Sequence, residues 1–216
     1  MSQPVQNPAL LATLSGHLLV PVVVIDDART ADSLGDALVI GGLPVAEVTF
    51  RTAAGPESLR RLAARGDLLV GAGTVLTPAQ VDSAVAAGAQ FVVSPGLSRG
   101  VVERCLDHNV LPLPGAVTAT EVQAALELGL TTVKFFPAES SGGAAAVRAL
   151  SAPFTEVGFM PTGGIGPDNL SDYLALSAVR AVGGSWMVPR DALDDTERVA
   201  ELVRRAVRLA AVLRPA

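Results

Sequence analysis

The chain has one lysine against fifteen arginines, and that lysine lies in Val133-Lys134-Phe135-Phe136-Pro137. Apolar neighbours strip water from an ammonium and favour the neutral amine, which can attack a carbonyl carbon; an arginine, always protonated, cannot. The competing reading is a lysine that runs its stem along apolar surface and keeps its ammonium in water. A second group stands in Val45-Ala46-Glu47-Val48-Thr49-Phe50-Arg51. Strand periodicity puts Glu47, Thr49 and Arg51 on one face, opposite Val48 and Phe50. A half-buried carboxylate there can move protons, and a guanidinium can hold a substrate carboxylate through two parallel hydrogen bonds. A structural ion pair is the alternative.

Glycines mark three further places. Gly71-Ala72-Gly73-Thr74-Val75 has glycines where a strand prefers side chains, a sign of close packing or of ligand approach. Pro161-Thr162-Gly163-Gly164-Ile165-Gly166-Pro167 and Val182-Gly183-Gly184-Ser185-Trp186 each place a glycine pair at the end of an apolar run. Such pairs serve ordinary turns, but backbone N–H groups there, and at a helix start, also bind phosphate.

These residues need a scaffold, and the hydrophobic pattern supplies one. Eight short apolar runs occur, at 19–25, 45–50, 68–75, 90–94, 110–113, 131–136, 157–160 and 178–183. Between and after them lie eight helix candidates, near 30–41, 57–65, 78–87, 99–108, 118–128, 142–150, 167–176 and 195–212, with a short extra helix at 7–16. Pro56, Pro78 and Pro167 fit first helical turns, and Gly88 and Gly129 fit helix ends. Eight strand–helix units predict an α/β fold, a single-domain (β/α)8 TIM barrel over residues 1–216, with the extra helix capping its bottom. In that fold the loops after strands seven and eight commonly hold phosphate. An open doubly wound sheet is the rival, but the first strand runs into Asp26-Asp27-Ala28-Arg29 without a glycine-rich turn.

Composition narrows the function classes. Half the residues are hydrophobic, 17% are charged and the net charge is −5, which offers no general attraction to nucleic acid or to an anionic membrane. Gly16, His17 and Pro21 break the uncharged first 25 residues, so no membrane span is expected there. With one cysteine, Cys105, and two histidines, His17 and His108, neither a disulfide nor a zinc cluster is expected. Cys105 reads as a small buried hydrophobe, and Trp186 and Tyr173 read as packing residues.

Six motifs in order, Glu47-Val48-Thr49-Phe50-Arg51-Thr52, Val70-Gly71-Ala72-Gly73-Thr74-Val75, Val93-Ser94-Pro95-Gly96, Lys134-Phe135-Phe136-Pro137-Ala138-Glu139, Pro161-Thr162-Gly163-Gly164-Ile165 and Gly183-Gly184-Ser185-Trp186, closely resemble the 2-keto-3-deoxy-6-phosphogluconate (KDPG) aldolase family. That family also covers 4-hydroxy-2-oxoglutarate aldolases. The resemblance implies a cytoplasmic homotrimer that needs no metal or cofactor and cleaves a phosphorylated 2-keto acid into pyruvate and glyceraldehyde 3-phosphate. It implies Lys134 as the Schiff-base residue and Glu47 as the proton shuttle. Arg51 and Thr74 would contact the pyruvate carboxylate, Pro95 and Phe136 would wall the pocket, and Gly163, Gly164, Gly184 and Ser185, with Thr162 at the edge, would cradle the phosphate. Two departures stand out. Asp26-Asp27 replaces a basic residue often found after the first strand, and Gly166 replaces a serine or asparagine that often caps the next helix. Other functions fit parts of the pattern: 4-hydroxy-2-oxoglutarate cleavage, a non-covalent sugar-phosphate isomerase or epimerase, and a metabolite-binding barrel without catalysis.

Overall fold

Local chemistry sets the element ends. Thr77, in extended conformation, accepts a hydrogen bond from the Gln80 N–H, and Pro78 opens the helix behind it. Thr118 and Glu121 form a reciprocal capping box. Gly88 and Gly129 take the left-handed conformation just past two helices, as expected. The computed structural model describes residues 6–214. Its order is α1 (Pro8–His17), β1 (Leu19–Val23), α2 (Thr30–Gly41), β2 (Val45–Thr49), α3 (Gly55–Arg65), β3 (Leu69–Gly73), α4 (Pro78–Ala86), β4 (Phe91–Ser94), α5 (Arg99–Asp107), β5 (Leu111–Pro114), α6 (Ala119–Glu127) and β6 (Thr132–Phe135). A 3-10 turn then leads to α7 (Gly143–Ser151), β7 (Gly158–Pro161), α8 (Leu170–Leu174), β8 (Val182–Gly184), a second 3-10 turn and α9 (Thr196–Leu213).

The paired strands are all parallel, and every residue of all eight is buried, which is why they read as unbroken apolar runs rather than alternating ones. The expected closed eight-stranded TIM barrel is corrected. The ladder is a six-stranded sheet, β5-β4-β3-β2-β1-β8, and a separate two-stranded sheet, β6-β7. Only isolated bridges touch across the seams, Gly115 with Lys134 on one side, and Phe159 with Val179 and Thr162 with Gly183 on the other.

The seam between β5 and β6 has a physical cause. Pro112 and Pro114 of β5 have no N–H to give a ladder. The Gln6 side chain fills the gap: its amide donates to the carbonyls of Pro112 at 2.6 Å and Thr132 at 3.0 Å. Its oxygen accepts from the N–H groups of Thr131 at 2.7 Å and Thr132 at 2.9 Å. Gln6 is 1% exposed, so these bonds have no solvent substitute. Gln6→Ala is expected to cost about 2–3 kcal/mol in urea unfolding; a loss below about 0.5 kcal/mol, the range of an ordinary surface change, would show that water takes over the amide's bonds.

The next departure is α8. It was expected over 167–176 but forms only at Leu170–Leu174. Asn169 explains the delay. Its side-chain oxygen accepts from the Gly166 N–H at 2.8 Å, and its amide donates to the Gly164 carbonyl at 3.2 Å, holding 164–169 as a turn. No side chain caps the first turn of α8.

Candidate active site

β6 ends in Lys134 and Phe135, and β2 carries Glu47 at its centre. The two strands are not neighbours in either sheet, so their side chains meet across the interior. Lys134 Nζ donates to Glu47 Oε1 at 3.2 Å, with the residues 3% and 1% exposed. The lysine does not snorkel out. Its ammonium also lies 5.0 Å from the centroid of the Phe136 ring. The other carboxylate oxygen, Glu47 Oε2, is buried without a partner among the described residues. A buried carboxylate with one free oxygen is poised to accept a proton from something that enters beside it.

Gly73, next to Glu47's strand, makes the space. A Cβ on Gly73 would overlap Glu47 Oε1, whereas a Cβ on Gly71 would overlap the Phe91 ring. The two glycines of β3 are therefore close-packing glycines, and one of them packs against the carboxylate. Thr74 follows directly with φ +59°, a strained conformation for a β-branched residue. Its hydroxyl accepts from Arg51 Nε at 3.1 Å. Arg51 does not enter with Glu47 as the strand face predicted; it lies beyond the end of β2 and is exposed. Thr49, on that face, turns its hydroxyl to the Val23 carbonyl at 3.0 Å and ties β2 to β1.

Phe136 and Pro95 are half-buried at the ends of β6 and β4. Between their strands stands Gly115, which sequence reasoning passed over. A Cβ there would overlap the Pro95 carbonyl, and the Ala116 N–H donates to the Lys134 carbonyl at 2.8 Å. The signal was the Pro114-Gly115 pair at the end of an apolar run.

The two glycine loops come together beside β7 and β8. Gly163 and Gly164 have φ values of +105° and +77°, which a side chain would strain. The Gly163 carbonyl accepts from the Glu139 N–H at 3.1 Å, and a Cβ on Gly164 would sit 2.7 Å from Glu139 Cγ. Glu139 in turn accepts from the Tyr173 hydroxyl. Burial first, and the Glu139 carboxylate second, push that phenol above its usual range, so it remains a donor. Thr162 meets Gly183 across the seam; its hydroxyl oxygen is buried without a partner among the described residues, and a Cβ on Gly183 would overlap it. Ser185 is exposed at the end of β8. The N–H groups of Gly164 and Ser185 find no acceptor among the described residues. The helix start expected beside Gly163 is absent, since α8 begins only at Leu170. Any anion held here rests on the loops' own N–H groups.

The acidic pair after β1 is neutralised in place. Asp26 is ion-paired with Arg190 of the turn after β8, which lowers its carboxyl below the usual range. Asp27 pairs with Arg29 and sits at about 2. Cys105 is fully buried and its thiol is pushed up to about 12 by desolvation. His108 ends α5 and faces Asp82 at 2.9 Å. Among the described residues no His, Cys, Asp and Glu side chains group as metal ligands.

Known proteins share this fold. The family model for KDPG and KHG aldolase matches residues 11–203. The chain belongs to the KDPG and KHG aldolase family. This aldolase is 46% identical over 198 residues to the 2-dehydro-3-deoxy-phosphogluconate aldolase of Treponema pallidum, covering 90% of this chain and 94% of that one. A crystal structure of KDPG aldolase from Legionella pneumophila, with pyruvate captured as a covalent carbinolamine intermediate, superposes with a TM-score of 0.87 at 38% identity, covering 94% of this chain and 98% of that one. The Zymomonas mobilis 2-keto-3-deoxy-6-phosphogluconate aldolase, with 3-phosphoglycerate, gives 0.88 at 37% identity over 97% and 96%. In this aldolase Gly73→Ala is expected to push Glu47 aside and lower kcat by about 10²-fold, because misplacement near 1 Å costs that much. Steady-state kinetics beside a thermal melt checks it; an unchanged kcat would show that Glu47 can move without consequence.

Proposed function

We propose that this chain cleaves 2-keto-3-deoxy-6-phosphogluconate to pyruvate and glyceraldehyde 3-phosphate through an imine on Lys134. The observation that carries the reading is the buried contact of 3.2 Å between Lys134 Nζ and Glu47 Oε1. Within this contact the ammonium can pass one proton to the carboxylate, which leaves the free amine that the reaction needs. The neutral amine then attacks the C2 ketone, the new alkoxide takes a proton from the nitrogen, and protonated Glu47 gives its proton to the departing hydroxyl, so that water leaves, an iminium forms and Glu47 is again a carboxylate. The iminium nitrogen accepts the electron pair of the C3–C4 bond as Glu47 takes the C4 hydroxyl proton, directly or through a water. The aldehyde leaves, and the enamine is protonated. Hydrolysis of the imine then frees pyruvate and restores the lysine. Arg51, held by Thr74, is assigned to the substrate carboxylate, and Pro95 and Phe136 to the walls. The covalent pyruvate adduct of the Legionella protein supports this route.

Gly163, Gly164, Gly184 and Ser185 are assigned to the phosphate, with Thr162 beside them. The N–H groups of Gly164 and Ser185, which have no acceptor among the described residues, and the 3-phosphoglycerate in the Zymomonas protein, support the assignment. The homotrimeric, cytoplasmic form expected from the resemblance is the one we propose for the working enzyme.

The family also includes KHG aldolases, so cleavage of unphosphorylated 4-hydroxy-2-oxoglutarate is the second reading. Ser185→Asp separates the two. A carboxylate in the cradle repels phosphate and is expected to lower kcat/KM for KDPG by about 10–100-fold while leaving 4-hydroxy-2-oxoglutarate unchanged. Equal effects on both substrates, or none on KDPG, would overturn the phosphate assignment.

A further inference from the structure

A cleft of about 460 Å³ opens outside the strand ends, between the loop after β8, the turn before α8 and the outer face of α9. That volume lies in the ~300–1,000 Å³ range of small-molecule sites. Leu202, Ala206 and Leu209 line it at i, i+4 and i+7 of α9, facing Pro167 and Trp186. Its only ionisable lining residues are Arg205 and Arg208. Arg208 reaches Glu201 at 3.4 Å, and Arg205 makes no ion pair among the described residues. In a chain of net charge −5, a cleft with two guanidinium groups and no lining carboxylate is an exception to the average surface. Apolar walls under two cations fit a ligand with an apolar body and an anionic head.

The cleft shares a wall with the phosphate loop. The Trp186 ring lies so close over Gly184 that a Cβ on Gly184 would overlap it. The indole N–H is buried without a partner among the described residues, so packing rather than a hydrogen bond holds the ring. Whatever fills the cleft therefore presses on the ring that covers Gly184.

We propose that this cleft is a second ligand site, which takes a small aromatic or branched aliphatic anion and transmits its occupancy to the Gly183–Gly184 loop through the Trp186 ring. The binding stands on the cleft alone; its effect on catalysis rests on the phosphate assignment above.

Trp186 is the single tryptophan, so its fluorescence reads this place. The probe is 8-anilinonaphthalene-1-sulfonate, an aromatic sulfonate, titrated into the full-length protein with and without saturating KDPG. Expected is a saturable quench of Trp186, one probe per chain, that persists with KDPG bound. Arg205→Gln, an exposed change on α9 that leaves the circular dichroism spectrum intact, is expected to weaken it at least about ten-fold. Bound probe is expected to shift KM for KDPG by about five-fold. No saturable quench, a quench that KDPG displaces, or equal affinity in Arg205→Gln overturns the site. A quench without a KM shift overturns the coupling to the loop. If Ser185→Asp also spares KDPG, the failed element is the phosphate assignment, and the binding result stands by itself.

Discussion

Lys134→Arg is expected to abolish KDPG cleavage, leaving less than about 10⁻⁴ of the wild-type kcat, because a covalent route has no substitute for its amine. Arginine is the informative replacement. It keeps a cation beside the buried Glu47 carboxylate, so the interior pair survives and the chain stays folded. Lys134→Met is less clean: it strands a carboxylate that is 1% exposed, and breaking such a pair costs about 3–5 kcal/mol. Activity lost in Lys134→Arg at an unchanged melting temperature therefore isolates the nucleophile. Cleavage retained above about 1% of wild type would remove Lys134 from that role.

Glu47→Gln tests the other half of the pair. The amide has nearly the shape of the carboxylate and can still accept from Lys134, but it cannot take a proton. The expected loss is about 10²–10⁴-fold in kcat, the usual worth of a positioned general base. Pyruvate capture on Lys134 should continue, more slowly, since the amine remains. A kcat within about three-fold of wild type would show that another group moves the C4 hydroxyl proton.

Most of the site was legible because its signals are local. A lysine inside an apolar run, a carboxylate on one strand face and glycine pairs at strand ends announce themselves within a few residues. The eight apolar runs and the helices between them were legible for the same reason, since burial on both faces leaves a continuous pattern. Lateral pairing is not local. Repetition of the strand–helix unit predicted an unbroken eight-stranded ring, while Pro112 and Pro114 interrupt it at β5 and β6. That signal was present, since proline inside a strand points to an edge. Gln6 was not legible: nothing near it in sequence says that its amide bonds with carbonyls and N–H groups more than 100 residues away. Asn169 likewise looked like part of a helix, until its side chain was found holding Gly164 and Gly166 in a turn. The outward placement of Arg51 follows from where β2 stops, at Thr49, two residues earlier than the face pattern needs.

The most direct measurement is reductive trapping. The protein is incubated with pyruvate, borohydride is added, and the intact mass and the peptide masses are read. One lysine in the chain leaves one side-chain amine to modify. The expected result is a single reduced pyruvyl group per chain, on the peptide that contains Lys134, absent in Lys134→Arg. No adduct, or an adduct that persists in Lys134→Arg, would contradict imine catalysis at this residue.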